Sequence, residues 1–174
     1  IEKDAHVRYI EKHYGEGTGT GKRLMNPTTE VNLGEGAVME MDTSQIAGIN
    51  DTYRITRAVI GPGASLIMHD KILTNLDQTA KAEIVVSLDG DGSKCDIISR
   101  GVAKGSSRQD IVIDIAGNSR CSGHASCDSI IMEHGVIVAT PKLAASNVDA
   151  SLIHEAAIGK IAGEQITKLM TLGL

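Results

Sequence analysis

Apolar and polar residues alternate along most of this chain in short runs. They read "VRYIEKHY", "EVNL", "AVMEMDTSQI", "YRITRAVI", "SLIMHDKIL", "AEIVVSL", "CDIISRGVA", "QDIVIDIA" and "DSIIM". Each run is four to ten residues long, rich in β-branched side chains and bounded by Gly, Asn, Asp or Ser. Such runs predict strands with one buried face. Helical periodicity emerges only near the end. There "GEQITKLMTL", from Gly163 to Leu172, puts Ile166, Leu169 and Met170 on one face with Gly173 as a stop. The pattern predicts an all-β body followed by one short C-terminal helix.

The second half repeats itself. "AVIGPGASLIMHDKI", "VSLDGDGSKCDIISR", "IDIAGNSRCSGHASC" and "PKLAASNVDASLIHE" share a strand–turn–strand form. The apolar residue before each turn is Ile60, Leu88, Ile115 and Leu143, at spacings of 28, 27 and 28. A unit of this length without intervening helices predicts a solenoid, here a parallel β-helix. An evenly spaced β-sandwich is the competing reading. Twelve residues after each anchor stand Ile72, Arg100, Cys127 and Glu155. If that register holds, Cys127 and Glu155 lie on successive coils about 4.8 Å apart. Alternation then turns His154 to the other face.

Composition narrows the interior. The 174 residues contain no Phe, no Trp and only three Tyr, so Ile, Val, Leu, Ala and Met must fill the core. A flattened lumen of stacked aliphatic side chains suits that supply. The length predicts a single domain over 1–174. The net charge of −5 gives no reason to expect nucleic acid or an anionic membrane as partner. No apolar run approaches the roughly 20 residues of a transmembrane helix. Three cysteines, an odd number, fit reduced thiols and a cytoplasmic setting. Starting at Ile1 and ending in "TLGL", the chain reads as a core fragment or a short homologue.

The chemistry-bearing residues fall in "CSGHASCDS", Cys121 to Ser129, and "IHEA", Ile153 to Ala156. On one continuous strand Cys121 and Cys127 would be about 20 Å apart, too far for direct pairing. His124 would face away from Cys127. Cys127, His154 and Glu155 together supply thiolate, imidazole and carboxylate, a donor set suited to iron or zinc. A carboxylate beside a thiol hinders its ionisation unless Arg100 or a metal compensates. The competing reading makes Cys127 a small core residue. Cys95 and Cys121 read as structural, His69 and His124 as surface or turn residues. His6, His13 and His134 have no partner in the sequence. "GEGTGTGKR", Gly15 to Arg23, lacks the phosphate-loop pattern because Arg23 follows Lys22, so it reads as a loop.

The ordered blocks "SCDS" (Ser126 to Ser129) and "HEA…GKI…EQ" (His154 to Gln165), with the closing "GL", resemble the core domain of the SufB/SufD family. The detailed match covers roughly the last third of the chain. These proteins are scaffolds of iron–sulfur cluster assembly in the SUF system. The resemblance implies a right-handed parallel β-helix and a transient iron–sulfur cluster. It carries the cluster cysteine onto Cys127 and the "HE" pair onto His154 and Glu155. SufD-like members lack the glutamate, so the pair leans towards SufB. The implied partners are a SufC-type ABC ATPase, bound through a helical domain mostly missing here, and a second SufB/SufD subunit. A self-dimer through the C-terminal coils is the expectation when no partner is present. The upstream cysteine that SufB-type members use in sulfur transfer has no match, since Cys95 sits too close to Cys127.

The expected role is therefore a scaffold, with ATPase activity in a partner. Two alternatives remain open at this stage: a β-helix enzyme acting on carbohydrate, and a purely structural SufD-type pairing subunit. The first needs paired carboxylates and aromatic platforms for sugar rings. Three Tyr and no Trp or Phe weigh against it.

Overall fold

A period of two buries every second side chain, and a recurring length of 27 to 29 residues brings the same positions around to stack. The computed structural model describes residues 1–160, and the expected helix at Gly163–Leu172 lies outside them. Twelve strands follow one another without a helix among the described residues. They are β1 (His6–Tyr14), β2 (Leu24–Met25), β3 (Thr28–Leu33), β4 (Val38–Ala47), β5 (Asp51–Ile60) and β6 (Ser65–Thr74). Then come β7 (Thr79–Leu88), β8 (Lys94–Ala103), β9 (Arg108–Gly117), β10 (Ser122–Ile131), β11 (Val136–Ala145) and β12 (Ser151–Lys160).

Alternate strands go to alternate sheets. Sheet A runs β1-β4-β6-β8-β10-β12, sheet B runs β11-β9-β7-β5-β2, and β3 also pairs with β5. Every pairing is parallel. The chain is thus a parallel β-solenoid of about six turns, as the repeat predicts. "SGHASC" belongs to strand β10 rather than to a turn, and "VIVATPKLAA" forms strand β11, which the sequence pattern did not single out.

The core lies between the sheets. Leu66, Met68 and Ile72 of β6 face Ala80, Ala82, Ile84, Val86 and Leu88 of β7 across the lumen. Aliphatic stacks fill it, which accounts for the absence of Phe and Trp. One corner repeats a left-handed residue on successive coils, at Gly36, Gly63 and Gly92 (φ 67°, 64° and 76°). Each donates its N–H to the next coil, to Pro62, Asp91 and Arg120 carbonyls respectively. Gly90 beside this corner lies so close to the preceding coil that a Cβ would sit 2.0 Å from Pro62 N. Backbone must move to admit it. Gly90→Ala is therefore expected to lower stability by about 1–3 kcal/mol, read as a shift in the urea midpoint with unchanged slope.

Two polar devices interrupt the aliphatic lumen. Arg54 of β5 crosses to Asp70 of β6, with Nη2 at 2.7 and 3.0 Å from the two carboxylate oxygens. Thr43 donates its hydroxyl to the same carboxylate at 2.5 Å. Gln109, fully buried, donates to the carbonyls of Ile72 (3.2 Å) and Val102 (2.9 Å) where strands leave sheet A. The stretch Gly15–Arg23 is the connection between β1 and β2.

Candidate functional site

Register places the chemistry. Within sheet A, Thr43, Asp70, Ser99, Cys127 and Ala156 occupy one inward row on β4, β6, β8, β10 and β12. The neighbouring inward row is Met41, Met68, Ile97, Ala125 and His154. Cys127 is 1% exposed. His154 thus stands on the same inner face, one coil later and one row along. Row and coil spacings of about 6.6 and 4.8 Å separate their backbones by roughly 8 Å.

Glu155 is elsewhere. It pairs with Ser126 and turns outward, so Cys127 meets Ala156 across the sheet rather than the carboxylate. The expected equivalence of Cys127 and Glu155 is corrected by one residue. The cause is a corner: residues 146–150 join β11 to β12, whereas only 118–121 join β9 to β10. One extra corner residue makes this repeat 29 and exchanges the two faces of β12. The anchors slip as well, since Leu88 pairs with Gly117 and Ile115 with Val86. His154, assigned outward by the uncorrected register, is the inward residue.

The electrostatics follow from this burial. Burial, with Asp128 and then Asp70 as nearby negative charges, pushes the Cys127 thiol up to about 11. Burial pushes Cys95 up to about 12. His154 is lowered from the ordinary imidazole value, first by burial and then by the charge of His124, so it is neutral at pH 7. Both ring nitrogens of His154 are buried with no hydrogen-bond partner among the described residues. An imidazole without a partner at either nitrogen has an unmet demand for a donor or a metal. Ser99 Oγ, between Asp70 and Cys127, is likewise unpaired.

At pH 7 the thiolate fraction of Cys127 is about 100-fold below that of a thiol at the ordinary value. Its alkylation by iodoacetamide should be slower by at least that factor and should still be rising at pH 10. A rate that levels off near about pH 8.5 would contradict the buried placement.

The remaining candidates separate cleanly. His124 and His69 lie on the outer face of sheet A, paired with Asp96 (2.8 Å) and Asp42 (3.2 Å). His6 pairs with Glu40 at 3.2 Å, and His13 with Glu11. Cys95 is buried two rows from Cys127, beside Gly123, and Cys121 is buried at the corner before β10. Among the described residues no three His, Cys, Asp or Glu side chains cluster as a metal site. The inner face therefore brings one thiol, on β10, beside one imidazole, on β12, with the carboxylate on the reverse of β12.

Sequence reasoning missed Asp70 and Arg54. The signal was present: in "LIMHDKI", alternation puts Asp70 inside with Leu66, Met68 and Ile72.

β11 and β12 are the last strands of their sheets, so each has one unpaired edge among the described residues. The inward row they close is open there, with Leu143 40% exposed.

Comparison with known proteins places this geometry. The family described as "SUF system FeS cluster assembly, SufBD core domain" matches residues 47–174. An iron-sulfur cluster assembly SufBD family protein of Methanocaldococcus jannaschii is 31% identical over 176 residues, covering all of this chain and 55% of the relative. One from Archaeoglobus fulgidus is 30% identical over 178 residues, covering all of this chain and 46% of the relative. One from Methanothermobacter thermautotrophicus is 36% identical over 91 residues, 51% of this chain and 22% of the relative. The chain spans about half the length of the relatives that align with all of it. The solenoid and the family match agree, and the chain belongs to the SufBD family of iron–sulfur cluster assembly proteins.

Proposed function

We propose that this chain is the β-helix core of a cluster-assembly scaffold that receives a nascent iron–sulfur cluster at its last coils. The observation that carries the reading is His154. Among the described residues its ring nitrogens are buried without partners, one coil from the Cys127 thiol. Cys127 and His154 are the inner ligands, and Glu155 joins them from the opposite face of β12. Among the described residues that strand is hydrogen-bonded to a neighbour on one side only. An edge strand deforms more easily than a central one, so a bulge of β12 at 154–155 is the change that lets both side chains face one cluster.

The cluster is cargo, and the chain's own part is to hold it. Iron displaces the Cys127 proton, because a thiolate and not a thiol is the ligand. Loading therefore releases protons and weakens as pH falls. The neutral state of His154 at pH 7 leaves a nitrogen lone pair for iron. The low number of inner-face ligands supports a site completed by a second chain. The edges of β11 and β12 that are unpaired among the described residues supply the pairing surface, for another SufB/SufD-type subunit or a second copy. ATP hydrolysis belongs to a SufC-type partner, and the glutamate at position 155 favours the SufB-like role.

Anaerobic reconstitution with ferrous iron and sulfide tests the reading. The chain should retain iron and acid-labile sulfide together after desalting, with charge-transfer absorption in the visible region. Retention no greater than that of a cysteine-free unrelated protein would end the proposal.

A further inference from the structure

The outer face of sheet A carries an apolar row that the cluster reading does not use. Leu73, Val102 and Ile130 are register partners on β6, β8 and β10. Ile46 of β4 follows Gln45, the last residue of β4 paired with β6, at a bulge near the start of this row. Ile46, Leu73 and Ile130 are 54%, 40% and 37% exposed. Single exposed apolar residues need no explanation, but a stacked row does. Leu76, at the turn next to the row, is 70% exposed and has a left-handed backbone (φ 56°). A leucine there is strained and hides no apolar surface, so folding does not favour it.

Beside this row run two cations. Lys71 and Arg100 are direct register partners on β6 and β8, both exposed and facing outward. Like charges directly opposite each other repel. Neither has an ion-pair partner among the described residues, nor do Lys12 and Lys94 on the same face, whereas Arg8, His69, His6 and His124 each have one. Asp128, the next residue in that row, accepts a hydrogen bond from Ser126 instead. A shallow hollow lies between His69, Lys71, Ile98 and Arg100.

We propose that this margin, Ile46, Leu73, Val102 and Ile130 flanked by Lys71 and Arg100, is a docking surface for an acidic amphipathic segment of a partner protein. The charge complementarity selects the occupant. The chain as a whole carries −5, so the attraction is local to the row of Lys71 and Arg100, which Lys12 extends on β1. The dimensions suit a helix. Four stacked strands span about 14 Å, the rise of roughly ten helical residues. The cationic row lies about 6.6 Å from the apolar one, where carboxylates bordering an apolar stripe would reach it. This face is distinct from the open coil ends proposed for subunit pairing.

The test uses two labelled synthetic helices of about 18 residues with the same leucine stripe, one bordered by glutamate and one by lysine. Fluorescence anisotropy should show saturable binding of the glutamate peptide alone. Lys71→Glu with Arg100→Glu should weaken it by about tenfold or more, and so should Leu73→Ser with Ile130→Ser. These positions face solvent, and matching thermal melts show that the variants fold. No binding of the glutamate peptide, equal binding of both peptides, or variants that bind like the parent would overturn the proposal. Self-association abolished by the same substitutions would do so too, since a second copy would then be the occupant.

Discussion

Asp70→Ala is expected to destabilise the solenoid by about 3–5 kcal/mol, the cost of stranding a buried charge. Asp70 is 1% exposed and Arg54 is 8% exposed. The carboxylate accepts two contacts from Arg54 Nη2 and one from the Thr43 hydroxyl. Truncation removes every one of these acceptors while the guanidinium stays in an aliphatic lumen. Thr43 loses its acceptor as well, which adds to the penalty. The pair also joins the two sheets, since Arg54 comes from β5 in sheet B and Asp70 from β6 in sheet A.

A second substitution separates charge burial from packing. Replacing both partners, as Asp70→Leu with Arg54→Met, should recover most of the loss, because no uncompensated charge remains. Urea unfolding followed by far-UV circular dichroism reads both variants. A single-variant loss below about 1 kcal/mol would mean that water reaches Arg54 and the lumen is not dry. Asp70 touches the site as well. It shares the inward row of Cys127 with Ser99 between them, and its charge is one cause of the raised thiol pKa.

Much of this molecule was legible in the chain. The period-two runs located most strands, and the near-regular anchors gave a solenoid because stacked coils must reuse one length. The missing aromatic rings had a direct reading in a narrow lumen. What escaped was the difference between a repeat of 28 and one of 29. The added residue sits in the corner 146–150, where no side chain need be buried and no hydrophobic pattern records it. Its effect is nonetheless large: it exchanged the faces of His154 and Glu155. The Arg54–Asp70 pair escaped for another reason. Asp70 could be placed inward by alternation, but its partner lies 16 residues away on the opposite sheet, at no fixed spacing.

The second large effect concerns the three buried thiols, which composition alone cannot rank. Cys127 belongs to the penultimate coil of sheet A and shares its inner face with the unpartnered His154. Cys95 lies a coil further in, in the row of Gly123 and Leu152. A Cβ on Gly123 would meet Leu152 Cδ2 at 2.8 Å, so that row is closely packed and has no room for iron. Cys121 is buried at a corner, its sulfur 3.1 Å from where a Cβ on Gly117 would lie. Among the described residues only Cys127 therefore combines a thiol with an unpartnered imidazole on the neighbouring strand.

Anaerobic reconstitution of Cys127→Ala and Cys95→Ala side by side tests the central claim most directly, with bound iron and acid-labile sulfide measured on each folded variant. Cys127→Ala should retain about tenfold less of both than the parent, while Cys95→Ala should match the parent. Equal loading of Cys127→Ala and the parent would contradict the account.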